Sequence, residues 1–241
     1  MLSKKMQEPE AVLALISGVV LAYVFGNVAF ALLHSAGVPG FKSELSVGSI
    51  LLATLSFHGT VFVLGTAFVL FQRIAWRDLV GDTPWLRCLK LAIGVLLTVA
   101  PIMIVLKVLS DLTLHAVGFR VDEQTAVKLI VGAKLWVRVY LGFFAVVLAP
   151  VAEEFFFRGV LFSFAKRYGW PKVGWIGVSL LFALIHTNAP TFLPLFLLAL
   201  CLTWLYEKTG GLLAPILAHG LFNLANLILL LVAERYNGLG P

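Results

Sequence analysis

The sequence predicts an all-α fold, a polytopic transmembrane helical bundle of about seven spans (six to eight). Composition is the first reason: of 241 residues, 61% are apolar and only 12% charged, against roughly 25% charged in a soluble domain. Mean hydropathy is the second, at +1.00. The third is that the apolar residues fall in long runs parted by short polar connections, the pattern of spanning helices rather than of one water-soluble core. Internal repeats and low-complexity segments are not evident. The chain reads as a single membrane-embedded unit, with N-terminal helices and loops over 1–134 and a chemically distinctive segment over 135–235.

The first run, Ala11 to Leu33, is long enough to cross a bilayer at about 1.5 Å per residue. Lys4 and Lys5 precede it, as in a signal peptide. The run exceeds the usual h-region of about 7–15 residues and lacks a small-residue cleavage site, so a retained helix is expected. Further runs cover Val47 to Phe71 and Leu89 to Leu109. The stretch between them carries Arg73, Arg77, Asp78, Arg87 and a Gly-Asp-Thr-Pro turn, a solvated loop. Ser110 to Lys134 is mixed, and Val121 to Ile130 suits an interfacial amphipathic helix. The fourth run, Leu135 to Phe164, is interrupted by Pro150, Glu153, Glu154 and Arg158. Val173 to His186, Thr191 to Tyr206 and Leu212 to Val232 complete the set.

The net charge of +6 comes from Lys and Arg placed between apolar runs, where they act as topology signals and contacts to anionic lipids. No basic–aromatic alternation is present, so nucleic acid is not an expected partner; membrane lipids are. With the N-terminus inside, the inner face collects Lys4, Lys5, Arg73, Arg77, Arg87, Lys90, Lys166, Arg167, Lys172 and Lys208, and the outer face Lys42, Arg120, Lys128 and Arg235. This excess predicts a cytoplasmic N-terminus, in a cell membrane expected to be the bacterial inner membrane. Cys88 and Cys201 lie far apart without CxxC or Cys/His spacing, and read as packed residues.

Charged groups in hydrocarbon are costly and mark function or paired contacts. Glu154 and Arg158 lie one helical turn apart and can pair. Glu153 is rotated about 100° away and has no counter-ion on its own helix, which makes it a candidate general base. Phe182-Ala-Leu-Ile-His186 closes the fifth run, and the last run contains His219-Gly-Leu-Phe-Asn223. A lone membrane histidine is often only an interhelical hydrogen bond, and Asn226 reads as a packing amide. Depth argues for more. At about 1.5 Å per residue, His186 lies roughly 20 Å beyond Lys172, Glu153 about 16 Å back from Phe164 and His219 about 12 Å beyond Gly211. Three helices thus bring polar groups to comparable depth, as one cavity would require.

Two chemistries suit this set. In one, Glu153 with His186 activates water while His219 and Asn223 donate to the oxyanion. In the other, Glu153, His186 and His219 hold zinc with a water ligand. HExxH, GxSxG and a paired intramembrane Asp are all missing from the sequence.

At these positions the chain resembles the CAAX protease and bacteriocin-processing (CPBP, or Abi) family of intramembrane endopeptidases, which includes the type II CAAX prenyl endopeptidases. The matching pieces are Glu153-Glu154-Phe-Phe-Phe-Arg158 for EExxxR, Phe182-Ala-Leu-Ile-His186 for FxxxH and His219-Gly-Leu-Phe-Asn223 for HxxxN, with Tyr206-Glu-Lys-Thr-Gly-Gly-Leu-Leu-Ala-Pro215-Ile as lead-in. The resemblance covers about Leu135 to Val232. It implies a helical bundle with a cavity open to the membrane and the cytoplasmic side. It also implies Glu153 and His186 acting on water, His219 and Asn223 polarising the scissile carbonyl, and Glu154 and Arg158 in support. Zinc is an optional cofactor on this reading, and a peptide or lipidated protein is the expected substrate. The competing readings are a non-proteolytic membrane adaptor or bacteriocin self-immunity protein, and a transporter, which the missing paired half-repeat disfavours.

Overall fold

The structure is a computed structural model that describes residues 8–42, 46–119, 130 and 135–236. Among them there are helices and no strand. The principal helices are α1 (Pro9–Ser35), α2 (Gly48–Phe71), α3 (Trp85–Ala116), α4 (Leu135–Arg167), α5 (Pro171–Ile185), α6 (Phe192–Thr209) and α7 (Leu213–Tyr236). All except α5 belong to segments long and apolar enough to cross a membrane. Large apolar side chains such as Phe25, Leu70, Leu97, Trp136 and Leu229 point outward, which water would not tolerate on this scale but lipid does. The chain is an integral membrane protein.

Two expectations change in detail. α3 does not stop near Leu109: it runs to Ala116 because Lys107 and Asp111 neutralise each other one turn apart, with Nζ 2.7 Å from Oδ1. α4 is not interrupted by its polar residues but continues through them, with two π-helical stretches, Phe144–Leu148 and Phe155–Phe162. The expected amphipathic helix at Val121–Ile130 falls, apart from Ile130, outside the described residues. Pro171 opens α5, where its missing N–H costs nothing. Gly210, at φ 75°, ends α6 in the left-handed region that glycine adopts freely.

The connections sort onto two ends of the bundle. Leu212 N–H donates to Leu79 O at 2.8 Å and Thr83 Oγ1 to Thr209 O at 2.8 Å, so the α2–α3 and α6–α7 links share one end. Lys166 pairs with Glu207 at 2.6 Å there. At the other end Arg138 of α4 holds Glu234 of α7 with two bonds of 2.8 and 2.7 Å. Arg73, Arg77, Lys166 and Lys208 therefore flank a common end.

Two apolar clusters fill the interior. One joins α1, α2, α4 and α5 through Val12, Val19, Val61, Phe156, Phe157 and Phe182. The other joins α3, α5, α6 and α7 through Ala92, Ala183, Leu198, Leu202 and Ala218. The polar residues of α4 lie along the seam. Cys88 is buried and Cys201 partly so, both as free thiols.

Candidate active site

The site begins with a proline. Pro150 has no N–H, so the carbonyls about one turn before it lose their helical donor. The first π stretch of α4 lies there, and Asn223 Nδ2 of α7 donates to Ala145 O at 2.7 Å. The neighbouring Val146 O lies so near α7 that a Cβ built on Gly220 would stand 2.7 Å from it. Glycine at 220 lets the two backbones meet, and His219 is carried in beside α4.

Glu154 and Arg158, both 0% exposed, form the buried centre. Arg158 Nη1 donates to Glu154 Oε1 at 2.8 Å and Nη2 to Ala199 O at 3.0 Å. Thr203 lies at 3.4 Å from Nε, and the Phe182 ring packs 4.9 Å from the guanidinium carbon. The second π stretch leaves Arg158 O to Ser163 Oγ, which also meets the Tyr206 hydroxyl at 2.8 Å. The Arg158 charge is thus satisfied rather than stranded, while Glu154 Oε2 is buried without a hydrogen-bond partner among the described residues.

His219 binds Glu154 Oε1 through Nδ1 at 2.9 Å. The carboxylate accepts from Arg158 and so accepts here too, which places the proton of the neutral imidazole on Nδ1 and the lone pair on Nε2. That Nε2 faces Glu153 Oε2 at 3.9 Å. Oε2 is buried with no hydrogen-bond partner among the described residues. Two acceptors thus converge on one point, an arrangement suited to a donor with two hydrogens, such as water.

Glu153 Oε1 meets His58 Nε2 at 3.0 Å. His58 belongs to a π turn of α2, Leu55–Gly59, and was not among the residues singled out in the sequence. Its signal was there: it is the only ionisable side chain between Val47 and Phe71, and such residues in hydrocarbon mark function or pairing. His186 lies where α5 ends, with Nδ1 at 2.7 Å from Phe182 O and its ring 4.7 Å from that of Phe182. It is near enough to Glu153 for an electrostatic interaction, but the imidazole in hydrogen-bond contact with Glu153 is His58. Two of the five histidines, His58 and His219, therefore lie within 4 Å of one carboxylate. Asn226 is exposed and bonds Phe222 O of its own helix.

The zinc alternative required Glu153, His186 and His219 around one ion. Among the described residues, no group of three or more His, Cys, Asp or Glu side chains is placed to hold a metal. His219 Nδ1 bonds Glu154 and His186 Nδ1 bonds Phe182 O, which leaves each Nε2 open as in a metal-ligating histidine. The three side chains are nevertheless not grouped as a ligand set, and the mechanism below uses no zinc.

Residues 135–225 match the family described as type II CAAX prenyl endopeptidase, Rce1-like. This stretch of the chain is similar to an Rce1-like domain. Among curated proteins, an uncharacterized 24.3 kDa protein of Escherichia coli is 40% identical over 80 residues, 30% of this chain and 36% of that one. UPF0177 protein YxdF of Lactococcus lactis subsp. lactis (strain IL1403) is 32% identical over 79 residues, 32% of this chain and 43% of its own. UPF0177 protein YajF of the same strain is 30% identical over 95 residues, 39% and 44%. The chain thus spans less than half the length of these relatives. No solved structure matches it. The matched stretch contributes Glu153, Glu154, Arg158, His186, His219 and Asn223, whereas His58 lies outside it.

Proposed function

We propose that this chain is an intramembrane endopeptidase that hydrolyses a peptide bond in a lipidated protein or peptide, using Glu153 as general base. The observation that carries the reading is the pair of inward-facing acceptors, Glu153 Oε2 and His219 Nε2, 3.9 Å apart, each held from behind by a separate contact.

In this mechanism water donates one hydrogen to each acceptor. Glu153 takes a proton as the water oxygen bonds to the scissile carbonyl carbon. The proton then passes to His219 Nε2. The resulting imidazolium is stabilised by Glu154, as the buried carboxylate of a Ser-His-Asp triad stabilises its histidine. Nε2–H can then donate to the tetrahedral oxyanion or protonate the leaving amine. Asn223 gives one N–H to Ala145 O and keeps a second, which supports its role as an oxyanion donor. His186, anchored at Nδ1, offers Nε2 to order the same water. Arg158 touches no reacting atom in this scheme; it holds Glu154.

The test uses the purified chain in detergent with a fluorogenic peptide bearing a farnesylated C-terminal CaaX sequence. Wild type is expected to cleave it, and Glu153→Gln and His186→Ala are expected to lower kcat by about 10²–10⁴-fold. Phenanthroline is expected to leave the rate unchanged. Inhibition reversed by added zinc would restore the metal reading. Equal cleavage by wild type and both variants would remove Glu153 and His186 from catalysis, and cleavage by none would favour a non-proteolytic adaptor.

A further inference from the structure

We propose that His58, on α2 and outside the Rce1-like stretch, is a positioning residue that fixes which oxygen of Glu153 faces the reacting water. The inference rests on the proteolytic reading above and extends the site to the N-terminal half of the chain.

A free carboxylate has two equivalent oxygens and rotates between them; a general base must present one in a fixed direction. Here the two are made unequal. Oε1 receives His58 Nε2 at 3.0 Å, and Oε2 is the one left without a partner, opposite His219. As an ionised carboxylate Glu153 only accepts, so His58 is the donor, and a neutral ring then has its lone pair on Nδ1. That Nδ1 is itself buried and unpartnered among the described residues.

The backbone around His58 is arranged to hold the ring still. The π turn Leu55–Gly59 shifts its register relative to the rest of α2, a device frequent at functional sites. Phe57 beside it packs edge-on against Phe156 of α4, ring centres 5.7 Å apart. The His58 ring stands edge-on to Phe144, 5.0 Å away, and Phe144 begins the π stretch whose next residue, Ala145, accepts from Asn223. On the other side α1 presses on the turn: a Cβ on Gly26 would overlap Ser56. The geometry thus clamps His58 between α1 and α4 with Nε2 on the carboxylate.

The experiment compares wild type, Glu153→Gln, His58→Ala and His58→Gln in full-length protein on the farnesylated peptide. It is paired with nitrogen NMR of histidine rings in ¹⁵N-His protein. His58→Ala is expected to lower kcat about 100-fold with KM within about 3-fold, the signature of a misoriented catalytic group rather than lost binding. His58→Gln, which keeps a donor at similar reach, is expected to recover to within about 10-fold of wild type. Glu153→Gln is expected to shift the His58 ring nitrogens, assigned by their loss in His58→Gln, whether or not the peptide is a substrate. Normal kcat in His58→Ala while Glu153→Gln is inactive overturns the role of His58 and leaves the protease reading standing. No cleavage by wild type strikes at the protease reading instead. The ring spectra then decide on His58 alone: unshifted nitrogens overturn the contact, also where His58→Ala fails to fold.

Discussion

Arg158 shows how much of this site is held by groups that touch no reacting atom in the proposed mechanism. Its guanidinium is fully buried and binds Glu154, which binds His219. Arg158→Met would leave the Glu154 charge buried without its counter-ion, which typically costs about 3–5 kcal/mol. The expected result is a marked fall in the detergent melting temperature together with loss of activity. Asn223→Ala would strand the Ala145 carbonyl, a loss of about 1–3 kcal/mol, and would also lower kcat. Asn223→Ser should recover part of the melting temperature if its shorter donor still reaches that carbonyl. Glu153, Glu154, Arg158, His186, His219 and Asn223 could be picked out from the sequence because each sits in an apolar run where polarity is expensive. His58 obeyed the same rule, but alone in its run and 95 residues from Glu153 it showed no partner. Helical spacing reveals neighbours three or four residues apart; contacts between distant helices need the fold.

Among the elements, α4 carries the densest information. The sequence placed it correctly as an apolar run yet read its proline and charges as interruptions. In the folded chain Asn223 from α7 satisfies a carbonyl that Pro150 leaves free, and arginine and glutamate neutralise each other, so the helix continues. Periodicity sees one helix at a time and could not supply α7. The same reasoning applies to Gly220, where close approach to Val146 O leaves no room for a side chain. Gly220→Ala is expected to lower the melting temperature and to reduce activity by moving His219 relative to Glu153. Backbone shifts from overpacking typically cost about 1–3 kcal/mol. Unchanged stability and rate would show that α7 can retreat without disturbing the site.

For the whole molecule, the helical membrane class followed from composition, and the seven apolar runs correspond to the seven principal helices. Orientation rests on charge. Cysteine accessibility in whole cells can check it, after Cys88 and Cys201 are replaced by Ala. Asp82→Cys and Ala36→Cys lie at exposed positions on opposite ends of α2. The expected pattern is labelling of position 36 by an impermeant reagent in intact cells, and of position 82 only after lysis; the reverse would invert the topology. One proportion of the bundle bears on its surroundings. α5 has 15 residues, about 22 Å of helix, yet it turns Val173, Ile176, Leu180 and Leu184 outward towards hydrocarbon that is normally about 30 Å thick. The bilayer beside α5 is therefore expected to thin or to take in headgroups near His186. On the proposed function, lipid chain length then becomes a control on cleavage: vesicles of shorter-chain phospholipid should support faster turnover than thick ones, because they bring bulk solvent nearer to the buried carboxylate.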